Sequence, residues 1–176
     1  MTTLVTIAGA LRQASTNRLL AAEAARLFAP DELIQADLRF PLYDGDLEEA
    51  EGVPDAVQTL ADQIAGADAV VISTPEYNKA LSGVLKNALD WISRTKGRPF
   101  AGKPTAIMSA AAGRAGGERS QFSLRLCLVP FGADVLTGPE VMIANSGNAF
   151  DDTGRLKDEN AVKFLGQLME NLRARI

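Results

Sequence analysis

The sequence predicts an open α/β fold, a parallel sheet of five strands with helices on both faces. Three observations carry that expectation. Short apolar runs alternate with amphipathic helical patterns along the whole chain, some of the runs are continuously apolar as in strands buried on both sides, and no linker or repeat breaks the order. With 176 residues, 47% of them hydrophobic and 23% charged, the chain is expected to form one domain, residues 1–176, with a substantial core.

Leu4-Val5-Thr6-Ile7-Ala8 reads as the first strand, and Leu20, Ala24, Leu27 and Phe28 give the following helix one apolar face. Pro30 and Asp31 end that helix, and residues 33–38 read as a second strand. Residues 40–53 carry Asp44, Asp46, Glu48, Glu49 and Glu51 without a compensating base, which reads as a solvated, mobile loop or the border of a substrate mouth. Pro54 and Asp55 open a helix that buries Val57, Leu60, Ala61, Ile64 and Ala65 and stops at Gly66. Ala69-Val70-Val71-Ile72 is a strand buried on both faces, ending in the polar turn 73–78. The next helix turns Val84, Leu85, Ala88, Leu89 and Ile92 inward, with Trp91 at its edge.

Gly102-Lys103-Pro104 leads into the strand Thr105-Ala106-Ile107-Met108 and a turn of small residues over 109–117. The helix after it, roughly 118–131, has two apolar stripes. Leu124, Cys127, Leu128 and Phe131 form one, which makes Cys127 a packing residue; Phe122, Leu126 and Val129 form the other. A helix apolar on two sides is buried on two sides, which in so small a domain points to a subunit interface. Val135-Leu136 and residues 140–143 make a last strand region interrupted by Gly138-Pro139. Residues 145–154 are loop, and a final helix buries Val162, Leu165, Met169 and Leu172.

Five strands in this order fit the flavodoxin-like arrangement, 2-1-3-4-5, whose ligand crevice lies at the carboxyl ends of the strands. In that order the first, third and fourth strands are neighbours. The turns at 9–17, 74–78 and 109–117 then meet at one edge.

Composition removes several classes of chemistry. The chain has no histidine and one cysteine, so a Ser-His-Asp triad, a Cys-His pair, a His-ligated metal site and an intrachain disulfide are all excluded. The Asp151-Asp152 pair lacks the spaced acids of a calcium loop, and no metal is expected. A net charge of −4 argues against a nucleic-acid partner. No apolar run is long enough to span a bilayer and the N-terminus lacks the basic region of a signal peptide, so no membrane partner and a cytoplasmic location are expected.

The three turns point to a ligand. In Gly9-Ala10-Leu11-Arg12-Gln13-Ala14-Ser15-Thr16-Asn17, a helix start offers free N–H groups, partial positive charge and the full charge of Arg12, which together suit a phosphate. The same residues also fit a capped helix behind a loop with a solvated arginine. Ala110, Ala111, Ala112 and Gly113 are small enough for a flat ligand to lie against backbone, and Pro75, Glu76, Tyr77 and Asn78 offer main-chain groups to the polar edge of a ring. A phosphate at one end and a flat heteroaromatic at the other describe a mononucleotide such as FMN. Neither GxGxxG nor a P-loop pattern is present, which counts against resident NAD or ATP.

With these turns, Thr74-Pro75-Glu76-Tyr77-Asn78, Leu85-Lys86-Asn87-Ala88-Leu89-Asp90-Trp91, Gly102-Lys103-Pro104 and Gly116-Gly117-Glu118-Arg119-Ser120-Gln121 complete a set. As a set, the chain resembles the NAD(P)H-dependent FMN reductases, especially the bacterial quinone and chromate reductase branch. The resemblance implies that Arg12, Ser15 and Asn17 hold the FMN phosphate with the backbone of Ala10, Leu11 and Thr16. It implies that Pro75, Glu76, Tyr77 and Asn78 line the isoalloxazine with Lys79 near its edge, and that Ala110, Ala111 and Gly113 complete the pocket. No side chain is catalytic: NAD(P)H, the co-substrate, passes hydride to FMN, which then reduces a small acceptor (quinone, free flavin, azo dye or metal oxyanion). The family is usually dimeric or tetrameric, which implies a homo-oligomer. Ala10, Ala110 and Ala111 stand where relatives often have serine, Lys79 where an aromatic is frequent and Ser82 where proline is common. Lys79 fits either a group favouring reduced, anionic flavin or a solvated surface lysine. Arg98, Arg114 and Arg119 are each able to meet a 2′-phosphate, and the sequence does not select among them.

Two rival readings share the fold. One is a flavodoxin-type electron carrier without a pyridine nucleotide site. The other is a ligand-binding or regulatory module that has lost its flavin, for which the alanine substitutions are the motive.

Overall fold

A computed structural model describes residues 1–176 as one parallel six-stranded sheet between two layers of helices. Its strands are β1 (Thr3–Ala8), β2 (Glu32–Gln35), β3 (Ala69–Thr74), β4 (Pro104–Ala110), β5 (Asp134–Val135) and β6 (Val141–Ile143). The spatial order is β2-β1-β3-β4-β5, and β6 also pairs with β4. β5 pairs with Pro104 and Thr105, and β6 with Met108 to Ala110, so the fifth position is one edge strand broken into two short pieces. This is the flavodoxin-like arrangement that the alternating pattern predicts.

The helices are α1 (Thr16–Phe28), α2 (Gly45–Glu51), α3 (Asp55–Gly66), α4 (Gly83–Ile92), α5 (Glu118–Leu128) and α6 (Glu159–Arg173). α1 and α6 cover one face, where Leu4, Leu20, Phe28, Met108, Leu165 and Met169 share a core. α3, α4 and α5 cover the other, around Val70, Ile72, Leu85, Trp91 and Leu124. Every residue of β3 is buried, as its unbroken apolar run requires between two helix layers. No helix is long and apolar enough to cross a membrane.

Register brings the site together. Ala8 lies opposite Ser73, and Thr74 opposite Ser109, so β1, β3 and β4 end within a residue or two of one level. The segments leaving those ends therefore start side by side.

Several local expectations are corrected. Residues 40–53 are not simply loop, because Asp44 caps α2 by accepting from the Asp46 N–H at 2.9 Å, with Asp46 and Glu48 in a first turn that favours negative charge. Nor is the acidic run without a base: Arg94, distant in sequence, binds Glu48 at 2.9 Å. Trp91 is fully buried, its indole N–H donating to the Pro41 carbonyl at 2.8 Å and its ring edge-on to Tyr43. Ala65 is exposed on the outer side of α3, and Val162 is only partly covered while Leu168 takes the buried position on α6. The second strand stops at Gln35, three residues short of the expected end. Cys127 is partly buried.

Candidate active site

The first turn is built to leave backbone donors free. Ser15 caps α1, its Oγ accepting from the Asn17 N–H at 3.2 Å, and the Ser15 N–H bonds to the Arg12 carbonyl at 3.1 Å. The N–H groups of residues 10–14 and of Thr16 have no partner within the protein. At the positive end of a 13-residue helix, such a run of donors is the arrangement that receives a phosphate. Arg12 donates to the Ala14 carbonyl at 2.9 Å, which folds its side chain over this turn and leaves its other donors open.

Asn17 plays a different part. Its side chain is buried; Oδ1 accepts from the Ser73 hydroxyl at 2.9 Å and the Ala110 N–H at 3.0 Å, and Nδ2 donates to the Ala110 carbonyl at 2.9 Å. It staples the start of α1 to the ends of β3 and β4. Ser82 makes a similar tie: it caps α4 and donates to the Gly9 carbonyl at 2.6 Å, which fixes the first turn against the second. A proline here would supply neither bond.

The second turn closes as a two-residue hairpin. Tyr77 and Ala80 exchange backbone hydrogen bonds, with Asn78 and Lys79 at positive φ, 51° and 73°. That is the left-handed pair a tight hairpin demands; asparagine tolerates it and lysine adopts it at a cost. The Glu76 carboxylate accepts from the Arg119 N–H at 3.1 Å and so takes up a donor of the first turn of α5.

The third turn depends on glycine. Gly116 and Gly117 have φ of 59° and 95°, and a Cβ on either would fall 2.6 Å from the Met142 carbonyl carbon or 2.8 Å from Ser109 Cβ. The Ser109 hydroxyl donates to the Gly116 carbonyl at 2.7 Å and accepts from Gln121 Nε2 at 2.8 Å. Close packing of the glycine pair on β4 and β6 holds Ala110, Ala111 and Ala112 at the sheet edge.

Between the three turns lies a cleft of about 480 Å³, within the usual size of a small-molecule site. Of the residues picked from sequence, Ala10, Leu11, Arg12, Ser15, Thr16, Asn17, Pro75, Glu76, Tyr77, Ala110 and Ala111 line it. Lys79 and Gly113 do not: they line an adjoining cleft of about 550 Å³, because the left-handed turn and the start of the third loop carry them to the far side of Glu76. Asn78, at the hairpin tip, lines neither. Ser82, Gly83, Val84 and Ser146, which the sequence does not mark as ligand-lining, also line the first cleft. The cap position of Ser82 was a visible signal for its place beside the turn. Ser146 had none, since it meets Thr16 across 130 residues, hydroxyl to hydroxyl at 3.2 Å. A third cleft of about 490 Å³ lies between α4 and the end of α5 beside Cys127 and Phe131. It is remote from the strand carboxyl ends and lacks the phosphate-type turn.

A doubly wound sheet with such a cleft at its topological switch point defines a mononucleotide-binding protein of flavodoxin-like fold. The donor-rich turn at one end and the alanine-lined wall at the other fit FMN. The sequence model of the NADPH-dependent FMN reductases matches residues 2–148. The chain is 46% identical to an NAD(P)H-dependent FMN reductase of Pseudomonas aeruginosa over 168 residues, covering 94% of this chain and 90% of that protein. It is 42% identical to a quinone reductase of Escherichia coli over 171 residues, with the same coverage of 94% and 90%. Among solved structures, the flavoenzyme NAD(P)H:(acceptor) oxidoreductase FerB of Paracoccus denitrificans superposes with a TM-score of 0.86 at 32% identity, covering 98% of this chain and 95% of that one. The chain belongs to the NADPH-dependent FMN reductase family and is a flavin-dependent oxidoreductase.

Proposed function

We propose that this chain, acting as one domain over residues 1–176, binds FMN in the 480 Å³ cleft and uses NAD(P)H to reduce a quinone or a similar small acceptor. The observation that carries the reading is the run of unpartnered N–H groups at residues 10–14 and 16, set beside Arg12 and facing a wall of alanines across one cleft. Arg12 and the backbone of the first turn hold the phosphate, with Ser15 fixing the helix start and Asn17 fixing the turn to the sheet rather than serving as a principal ligand. Pro75, Glu76 and Tyr77 border one side of the ring through main chain, and Ala110 and Ala111 supply a flat wall on the other. When bound, FMN supplies the hydride chemistry, taking electrons from NAD(P)H and releasing them to the acceptor. The protein positions both partners in turn on the open side of the cleft, and no side chain there is required as an acid or base. Quinone is the favoured acceptor because the relative from Escherichia coli carries that name at 42% identity.

The oligomeric assignment rests on α5. Phe122 and Leu126 on its outer side, and Val129 in the 3-10 turn that directly follows it, lie one turn apart and are 55%, 73% and 71% exposed. We assign this stripe to a homodimer or homotetramer contact. Dependence on NAD(P)H as reductant fits a cytoplasmic setting, which we assign to this chain.

The test is direct. Purified protein supplied with FMN is expected to oxidise NADPH or NADH continuously when benzoquinone is present, with the flavin band bleaching when the quinone is left out. Flavin that binds but is not bleached by either nucleotide would make the chain a flavodoxin-type carrier instead.

A further inference from the structure

Next to the flavin cleft, and sharing Glu76, Ala111 and Ala112 with it, lies the second cleft of about 550 Å³. Its rim carries Lys79, Arg114 and Arg119 against the carboxylates of Glu76 and Glu118. These cations are not equivalent. Arg119 lies 3.8 Å from Glu76, and its backbone N–H is taken by the same carboxylate. Lys79 and Arg114 have neither an ion pair nor a side-chain hydrogen bond within the protein. Glu76 also occupies part of the amino end of α5, so an anion in this cleft would be recognised by side chains rather than by the helix end. The N–H groups of Gly113, Arg114 and Ala115 are free as well.

The backbone argues that Lys79 is there for its charge. At φ 73° in a two-residue hairpin, glycine is the residue without strain, and a lysine is held there against its backbone preference. The chain spends that strain on placing a flexible cation at the mouth of a cleft that already holds Arg114.

We propose that the Lys79–Arg114 cleft takes the 2′-phosphate of the reduced pyridine nucleotide, so that this chain prefers NADPH to NADH. The inference rests on the flavin reading above: a nucleotide whose nicotinamide reaches the flavin cleft has its adenosine end in neighbouring space, and the adjoining cleft is where unpaired positive charge waits. Of the three arginines the sequence left undecided, this selects Arg114. Arg98 lies in the cleft beside Cys127, and Arg119 is already paired.

The experiment uses flavin-loaded protein and two readouts. The first is binding of adenosine 2′,5′-bisphosphate, 5′-AMP and inorganic phosphate by calorimetry. The second is the ratio of kcat/KM for NADPH to that for NADH with benzoquinone as acceptor. Adenosine 2′,5′-bisphosphate is expected to bind roughly tenfold or more tightly than 5′-AMP, from charged hydrogen bonds to one added phosphate. Lys79→Gly with Arg114→Ala should bring the two together and lower the kcat/KM ratio by a similar factor. Arg114→Lys should retain part of it. Reading a ratio cancels any general loss of activity or flavin.

Equal binding of the two nucleotides, or a ratio unmoved in the double variant, overturns the proposal while leaving the reductase reading in place. Inorganic phosphate binding as tightly as adenosine 2′,5′-bisphosphate would assign the cations to free oxyanions and overturns it too. Failure of either nucleotide to reduce bound flavin in the unaltered protein removes the reductase reading itself, and this inference with it.

Discussion

Asn17 shows how one side chain turns a local motif into a site. Its amide joins the first turn of α1 to Ala110, 93 residues on, and to Ser73, so the first and third turns cannot drift apart. Asn17→Ala leaves the Ala110 N–H and C=O and the Ser73 hydroxyl without their partners, and should cost about 2–4 kcal/mol in urea unfolding. Arg12 is of the opposite kind, exposed and bonded only to the carbonyl of Ala14. Arg12→Ala should leave stability within about 0.5 kcal/mol and weaken FMN binding about tenfold or more, as read by quenching of flavin fluorescence. Lys79→Gly should raise Tm by about 2–4 °C in thermal unfolding by relieving a left-handed backbone. Arg12 and Ser15 were legible in the sequence because capping and charge at a helix start are local matters. The stapling role of Asn17 was not, since nothing near residue 17 announces Ala110.

Among the elements, the glycine pair before α5 sets the third wall of the cleft. A Cβ at Gly116 would collide with the backbone of β6, where no side chain is able to swing aside. Gly116→Ala should therefore destabilise by about 2 kcal/mol or more and weaken FMN retention as Ala110 to Ala112 shift, measured by unfolding and flavin titration together. On the outer face of the same helix, Leu126→Glu should lower the apparent mass in sedimentation to that of a monomer without changing the far-ultraviolet circular dichroism. An unchanged mass would remove α5 from the interface. The two stripes of α5 could be read in advance because helical spacing separates them cleanly. α2 could not, being seven residues of mostly charged sequence whose cap at Asp44 and partner at Arg94 outweigh its lack of an apolar face. The burial of Trp91 is hidden from the sequence for a related reason: the carbonyl that satisfies its indole comes from Pro41, 50 residues earlier.

For the molecule as a whole, strand order alone decides that three separated turns share one cleft. That order was legible from the alternation of apolar runs and helical patterns, because parallel strands need crossovers and crossovers have one hand. The register of β1, β3 and β4 then levels their ends. What sequence did not separate was the cleft that fits FMN from the one beside it; Glu76 stands between them, and its tie to Arg119 spans 43 residues. The measurement that bears most directly on this arrangement is a crystal structure of the protein with FMN. Density for the phosphate against the N–H groups of residues 10–16 and Arg12, with the ring between Pro75 to Tyr77 and Ala110 to Ala112, is the expected result. A flavin seated in either of the other two clefts, or bound with its phosphate away from the first turn, would contradict it.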